Sequence, residues 1–199
     1  MLENLKKELD IIYKKIRFRL NKNLVYTNID GKLINRTKAP LLKIIRGTGI
    51  DVGCGSDKIS DRAIGVDIVG RGETGKYGCE KNKVSVADIK SSGDNLRMFS
   101  KSSLDFVIAR DNLEHYLDFL KTLKEWNRVL KIGGKLGITT PNDDEVDSIR
   151  LDPTHKHAFN LDSLETALNL TGFRVIEKGI TIKGWGFYVI AEKMRETGK

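Results

Sequence analysis

The apolar residues of this chain change period along its length, and the changes mark its elements. Leu2, Leu5, Leu9, Ile12, Ile16 and Leu20 recur at steps of three or four, which predicts an amphipathic helix with one apolar stripe. From Gly49 the pattern shortens. Ile50 and Val52 are the rungs of a buried strand, and GIDVGCG (49–55) ends it in a turn of Gly53, Cys54 and Gly55. There a Cβ would block either the backbone dihedrals or the approach of a ligand to the main chain. Two more strands are predicted at AIGVDI, ending near Asp67, and at VSVADI, ending near Asp88. Residues 56–63 leave room for about two turns of helix, less than a parallel crossover normally takes, so the first crossover helix is expected to be stunted. Residues 70–83, with GRGETGKYG, lack both a helical period and the GxxxxGK[ST] spacing of a phosphate cradle, and read as a loop.

The second half is more regular. LDFVIA (104–109) is a fourth strand, and 118–130 a helix turning Phe119, Leu120, Leu123, Trp126, Val129 and Leu130 inward until Lys131, Ile132, Gly133 and Gly134 stop it. Residues 136–140 form a fifth strand closed by Pro141. Asn160 or Asp162 caps a helix that runs to Leu170 and ends at Thr171 and Gly172. Residues 174–182 and 186–193 alternate as a hairpin around Lys183, Gly184, Trp185 and Gly186. Parallel strands that bring a glycine turn and two carboxylates to one carboxyl edge predict a nucleoside site there.

Composition adds a division of the chain. Its 199 residues, 39% hydrophobic and 31% charged, suit one soluble domain. No apolar run reaches the length of a membrane span, and the N-terminus lacks a signal-peptide core, so no membrane and a cytoplasmic location are expected. The net charge of +8 lies wholly at one end: residues 1–46 hold 12 Lys or Arg against 4 Asp or Glu, and the remaining 23 of each sign balance. This sets residues 1–46 apart as a basic amphipathic helical cap on a body of 47–199. Its basic face reads as solvated surface, as a footprint for nucleic acid or another polyanion, or as a membrane-surface helix. Cys54 and Cys79 make neither a metal-ligand spacing nor a disulfide framework, and Cys54 reads as a small residue in a tight turn.

These motifs, in this order from about Ile50 to Lys193, resemble the class I S-adenosylmethionine-dependent methyltransferases. IDVGCG resembles the first motif, GVDI the ribose-binding strand end, VADI the adenine-side motif, and LDFVIARDNLEHYLD with LKEWNRVLKIGGKLGITTPN the fourth- and fifth-strand region. DPTHKHAFNLDSLETALNLTGFRVIE resembles the segment leading into the last large helix. The usual third glycine is Asp57 here, and the first helices are shortened, as in a compressed branch of the family. The resemblance implies a Rossmann-like, mostly parallel seven-stranded sheet with an antiparallel C-terminal hairpin, binding S-adenosylmethionine. Gly53, Cys54 and Gly55 would meet its methionine part and Asp67 its ribose hydroxyls, with Asp51 also among the cofactor-binding residues. Ile68 would pack on adenine, Asp88 and Ile89 would read the adenine edge, and the main chain of Ala109 and Arg110 would meet the amino-acid end.

Methyl transfer from a sulfonium asks the protein chiefly to align and desolvate the acceptor. Where the acceptor must lose a proton a base helps, and His115, His155 and His157 all follow the fourth and fifth strands. The His155–His157 pair with Asp152 is also a partial metal-ligand set, but substrate-side hydrogen bonding is preferred and no metal is expected. Arg110, Asp111 and Asn112 stand where base-directed amino methyltransferases carry a Pro-Pro-aromatic tetrad, which argues against methylation of a flipped base. The expected acceptor is an anionic small molecule, with nucleic acid the alternative through the basic N-terminus. A non-catalytic module gripping RNA or a partner is a second function class. A nicotinamide oxidoreductase is a third, disfavoured because the turn is GCGSD rather than GxGxxG.

Overall fold

The computed structural model describes residues 25–29, 32–35, 37–76 and 80–197. The apolar stripe between Leu2 and Leu20, and Cys79, lie outside them. Nine strands are described: β1 (Val25–Ile29), β2 (Lys32–Asn35), β3 (Gly49–Val52), β4 (Ile64–Asp67), β5 (Ile89–Lys90), β6 (Leu104–Arg110), β7 (Leu130–Pro141), β8 (Phe173–Ile182) and β9 (Gly186–Lys193). The α-helices are α1 (Phe119–Val129), α2 (Ser148–Leu151) and α3 (Leu161–Leu170).

Seven strands make one sheet in the order β5-β4-β3-β6-β7-β9-β8. Its first five are parallel, and β9 runs antiparallel to both β7 and β8. This is the expected Rossmann-like sheet with a terminal hairpin. Among the described residues no α-helix lies between β3 and β6, so the early crossovers are shorter still than the two turns the spacing allowed. Among them, too, no helix is long and apolar enough to cross a membrane.

The strand expected over VSVADI is the main departure in the body. Val84 makes only an isolated bridge to Thr74, and sheet pairing starts at Ile89. Asp88 makes one main-chain and one side-chain bond to Gly65: its N–H donates to the Gly65 carbonyl (2.8 Å) while its Oδ2 accepts from the Gly65 N–H (2.8 Å).

The sheet's two faces are covered differently. On one, Leu123, Trp126 and Val129 of α1 and Leu164, Ala167 and Leu168 of α3 pack on Ile50, Val52, Val107, Ala109, Leu136, Ile138 and Val189. Leu120, expected on that inner side, is exposed. Each large side chain so buried contributes about 1.5–3 kcal/mol. Asp118 caps α1 by accepting from the Lys121 N–H, and Asn160 and Ser163 cap α3 reciprocally. The other face is covered by a short turn of chain, with Leu41, Ile44 and Ile45 packing against Phe106, Ile108 and Ile190. Gly137 of β7 permits this, because a Cβ there would stand 2.9 Å from Ile44 Cδ1 and 3.0 Å from Leu41 Cδ2. The basic segment of 1–46 is therefore not helical throughout: β1 and β2 pair antiparallel, and residues from Thr37 onward are packed into the body.

Candidate functional site

The site begins where β3 ends. Gly53 (φ +68°) and Gly55 (φ +53°) sit in the left-handed region, and a Cβ on Gly53 would lie 2.2 Å from Nδ2 of Asn112. The N–H groups of this turn have protein partners. Those of Gly53 and Cys54 reach the Val66 carbonyl at 2.8 and 3.4 Å. Gly55 donates to Oδ2 of Asp67 and Ser56 to Oε2 of Glu80, both at 2.8 Å. Asp67 also accepts from the Val69 N–H through Oδ1 at 2.8 Å. Burial works against the Glu80 charge, but the Ser56 hydrogen bonds and Lys83 outweigh it and leave this carboxyl below its ordinary range.

A pyrophosphate-binding turn presents free N–H groups at the start of a helix. This turn presents two carboxylates and leads into no helix. Each Asp67 oxygen has lone-pair capacity beyond the N–H it already accepts, which is what two ribose hydroxyls need. Ile68 beside it is 68% exposed and offers an apolar face to a base.

Beneath the turn Asp51 is fully buried. Its Oδ2 accepts from the Ile59 N–H (2.6 Å) and from the Arg110 guanidinium (3.3 Å), while Oδ1 has no partner. Burial raises its carboxyl despite the opposing pull of Arg110. The guanidinium of Arg110 also donates to the Asp57 carbonyl, so this side chain braces the turn from below. Ala109 is buried in the ladder between β3 and β7. Burial, with Asp51 next, pushes the Cys54 thiol up to about 12. Asp88 stands away from the carboxyl edge, opposite Gly65, and both its oxygens are taken: Lys58 is 2.8 Å away and Arg71 completes the pair. Ile89, one residue on, pairs with Val66 near that edge.

The third part of the site follows β6. Asp111 (φ +47°) is held by Thr139, whose carbonyl accepts its N–H (2.8 Å) and whose hydroxyl donates to its Oδ1 (3.1 Å). Asn112 accepts from the Tyr116 hydroxyl at 2.7 Å, and a 3-10 turn over Leu113–His115 follows. That turn buries Glu114, whose oxygens make no well-formed hydrogen bond and have only the Thr140 hydroxyl and the residue's own N–H close by. Burial, and then Asp111, push this carboxyl well above its ordinary range. His155 Nε2 lies 4.0 Å from Glu114 Oε1, and the His155 ring meets the His115 ring edge-on at 4.6 Å. Burial, and then His115, lower the His155 imidazole.

The His155–His157 pair read from the sequence is thus divided between different neighbours. His155 joins Glu114 and His115, whereas His157 packs against Phe119 and Phe159 with Nε2 3.1 Å from the Leu117 carbonyl. Glu80, Glu114 and Thr154 carry no mark in the sequence that would bring them here. Glu114 is adjacent to His115, but only the fold buries its carboxyl beside His155.

Comparison with known proteins assigns the fold. The profile of the methyltransferase domain family matches residues 21–178. The chain belongs to that family. Its methyltransferase fold is shared with solved structures of low identity. A S-adenosylmethionine-dependent methyltransferase from Methanosarcina mazei is 21% identical, with 79% of this chain and 98% of that one covered and a TM-score of 0.58. One from Archaeoglobus fulgidus is 20% identical over 78% and 92%, at 0.56. The YcgJ protein of Bacillus subtilis is 14% identical over 81% and 99%, at 0.57. No curated protein sequence matches the chain.

Proposed function

We propose that the protein transfers a methyl group from S-adenosylmethionine to an anionic acceptor. The observation that carries this reading is the glycine turn whose N–H groups are answered by Asp67 and Glu80. Two carboxylates favour a sulfonium nucleoside over any phosphate-bearing cofactor. Asp67 would hold the ribose, Ile68 would cover the adenine, and the turn at Gly53–Gly55 would receive the methionine part. Bound there, the cofactor supplies an activated methyl group. The chain's own residues orient it, exclude water through the packed β6–β7 edge, and position the acceptor near the 110–115 segment.

The preference for an anionic acceptor rests on the basic excess before Gly47. The test is a transfer assay with methyl-labelled cofactor against fractionated anionic small molecules and total RNA. Label should enter the small-molecule fraction and persist in moderate salt. Label found only in RNA, with a steep salt dependence, would reassign the acceptor. No label in any fraction would remove the activity.

A further inference from the structure

The group that this account leaves without a task is Glu114. It is 1% exposed, yet its carboxyl has only the Thr140 hydroxyl and its own N–H close by and makes no well-formed hydrogen bond, and a buried polar group is costly until a partner arrives. Two imidazoles face it. One ligand atom from each of Glu114, His115 and His155 lies within 4.8 Å of the other two.

The tautomer of His115 follows from a proton count. The Thr154 hydroxyl has one proton, and its 2.6 Å contact with Asp152 Oδ1 uses it. The 3.1 Å contact between Thr154 Oγ1 and His115 Nδ1 is then a ring N–H donating to the hydroxyl oxygen. His115 Nε2 is left with its lone pair free. An imidazole fixed through one nitrogen by an outer acceptor, with the other nitrogen free for coordination, is how metal-ligating histidines are oriented.

We infer that Glu114, His115 and His155 bind a divalent transition-metal ion, zinc being the best fit, two residues beyond the Asn112 that packs on the glycine turn. Two imidazole nitrogens and one carboxylate oxygen suit zinc, manganese or ferrous iron, whereas magnesium and calcium prefer oxygen alone. Ligand atoms around a tetrahedral ion stand about 3.3 Å apart, so the three groups close on it by side-chain rotation. Asp111 and Asp152 add negative charge around the cluster. Three protein ligands leave a coordination position open. On the methyltransferase reading, from which this role alone follows, that position takes an acceptor oxygen that the surrounding carboxylates would otherwise repel.

Titration calorimetry of the full chain with zinc, and visible absorption with cobalt(II) as a spectroscopic substitute, test this. The wild-type protein should bind one zinc per chain and give a cobalt d–d band. Glu114→Gln and His155→Ala, checked for fold by circular dichroism, should each weaken zinc binding at least about tenfold. His157→Gln should leave zinc affinity unchanged. Absence of both saturable zinc binding and the cobalt band in the wild type overturns the inference without recourse to any variant. Equal affinity in Glu114→Gln and His155→Ala does the same. Titration of the same preparations with S-adenosylmethionine separates the two proposals: cofactor binding without zinc binding ends this one alone, and zinc binding without cofactor binding ends the functional reading and leaves the metal site.

Discussion

Asp67 shapes the glycine turn by accepting from the Gly55 and Val69 N–H groups, and in the proposed function the same carboxylate holds the ribose. Asp67→Ala should weaken S-adenosylmethionine binding by about 1.5–3 kcal/mol, the usual worth of hydrogen bonds to a charged group. Unchanged affinity by calorimetry would show that the ribose is held elsewhere. Asp67 was legible from the sequence because it ends an apolar run directly after the glycine turn. Asp88 ends a similar run but is placed elsewhere: its side chain pairs with Gly65 and is tied to Lys58 and Arg71. Hydropathy marks where an apolar run stops, but not whether main chain or side chain makes the pairing.

Cys54 gives a prediction in pH. Its folded thiol is raised from about 9 to about 12, so the native state holds a proton there that the unfolded chain releases. This contribution to stability is complete below about pH 9 and is lost as the pH rises towards 12. In a Cys79→Ser background the native protein should react slowly with a thiol reagent at pH 9, and rapidly once unfolded in denaturant. Fast labelling of the native protein would place the thiol in an open environment.

Among the elements, α3 was the most fully legible, since its cap, its apolar period and its stop all lie within thirteen residues. Asn160 accepts from the Ser163 N–H at 2.9 Å while the Ser163 hydroxyl receives the Asn160 N–H at 3.0 Å. Asn160→Ala should cost about 1 kcal/mol in denaturant unfolding. A loss below about 0.3 kcal/mol would mean that packing of Leu164 and Leu168 alone holds the helix start. The β1–β2 hairpin went unread although its signal was present: VYTNI and KLIN flank Asp30-Gly31, a dipeptide suited to a two-residue turn. Charge drew that segment into the basic helix, and charge carries no information about period.

Over the whole molecule, the unequal cover on the two faces of the sheet decides what a truncation does. Leu41, Ile44 and Ile45 supply apolar cover on the face opposite α1 and α3, so a chain starting at Thr37 should keep a cooperative thermal transition. A chain starting at Gly47 loses three buried side chains worth about 1.5–3 kcal/mol each and should melt far lower or fail to fold. Equal melting temperatures for the two would show that this cover adds nothing. The mostly parallel sheet with its terminal hairpin was foreseeable, because parallel strands and a glycine turn restrict the topology to few solutions. The Glu114 cluster was not, because burial and the meeting of residues some forty positions apart are products of the fold.

In the proposed function the turn after β3, held by Asp67 and Glu80, receives a sulfonium nucleoside and rejects a dinucleotide. Titration calorimetry of the full chain with S-adenosylmethionine and, separately, with NAD tests it most directly. Saturable one-to-one binding of S-adenosylmethionine, weakened in Asp67→Ala, and no measurable heat with NAD are the expected results. Binding of NAD as tight as that of S-adenosylmethionine, or no binding of S-adenosylmethionine, would contradict it.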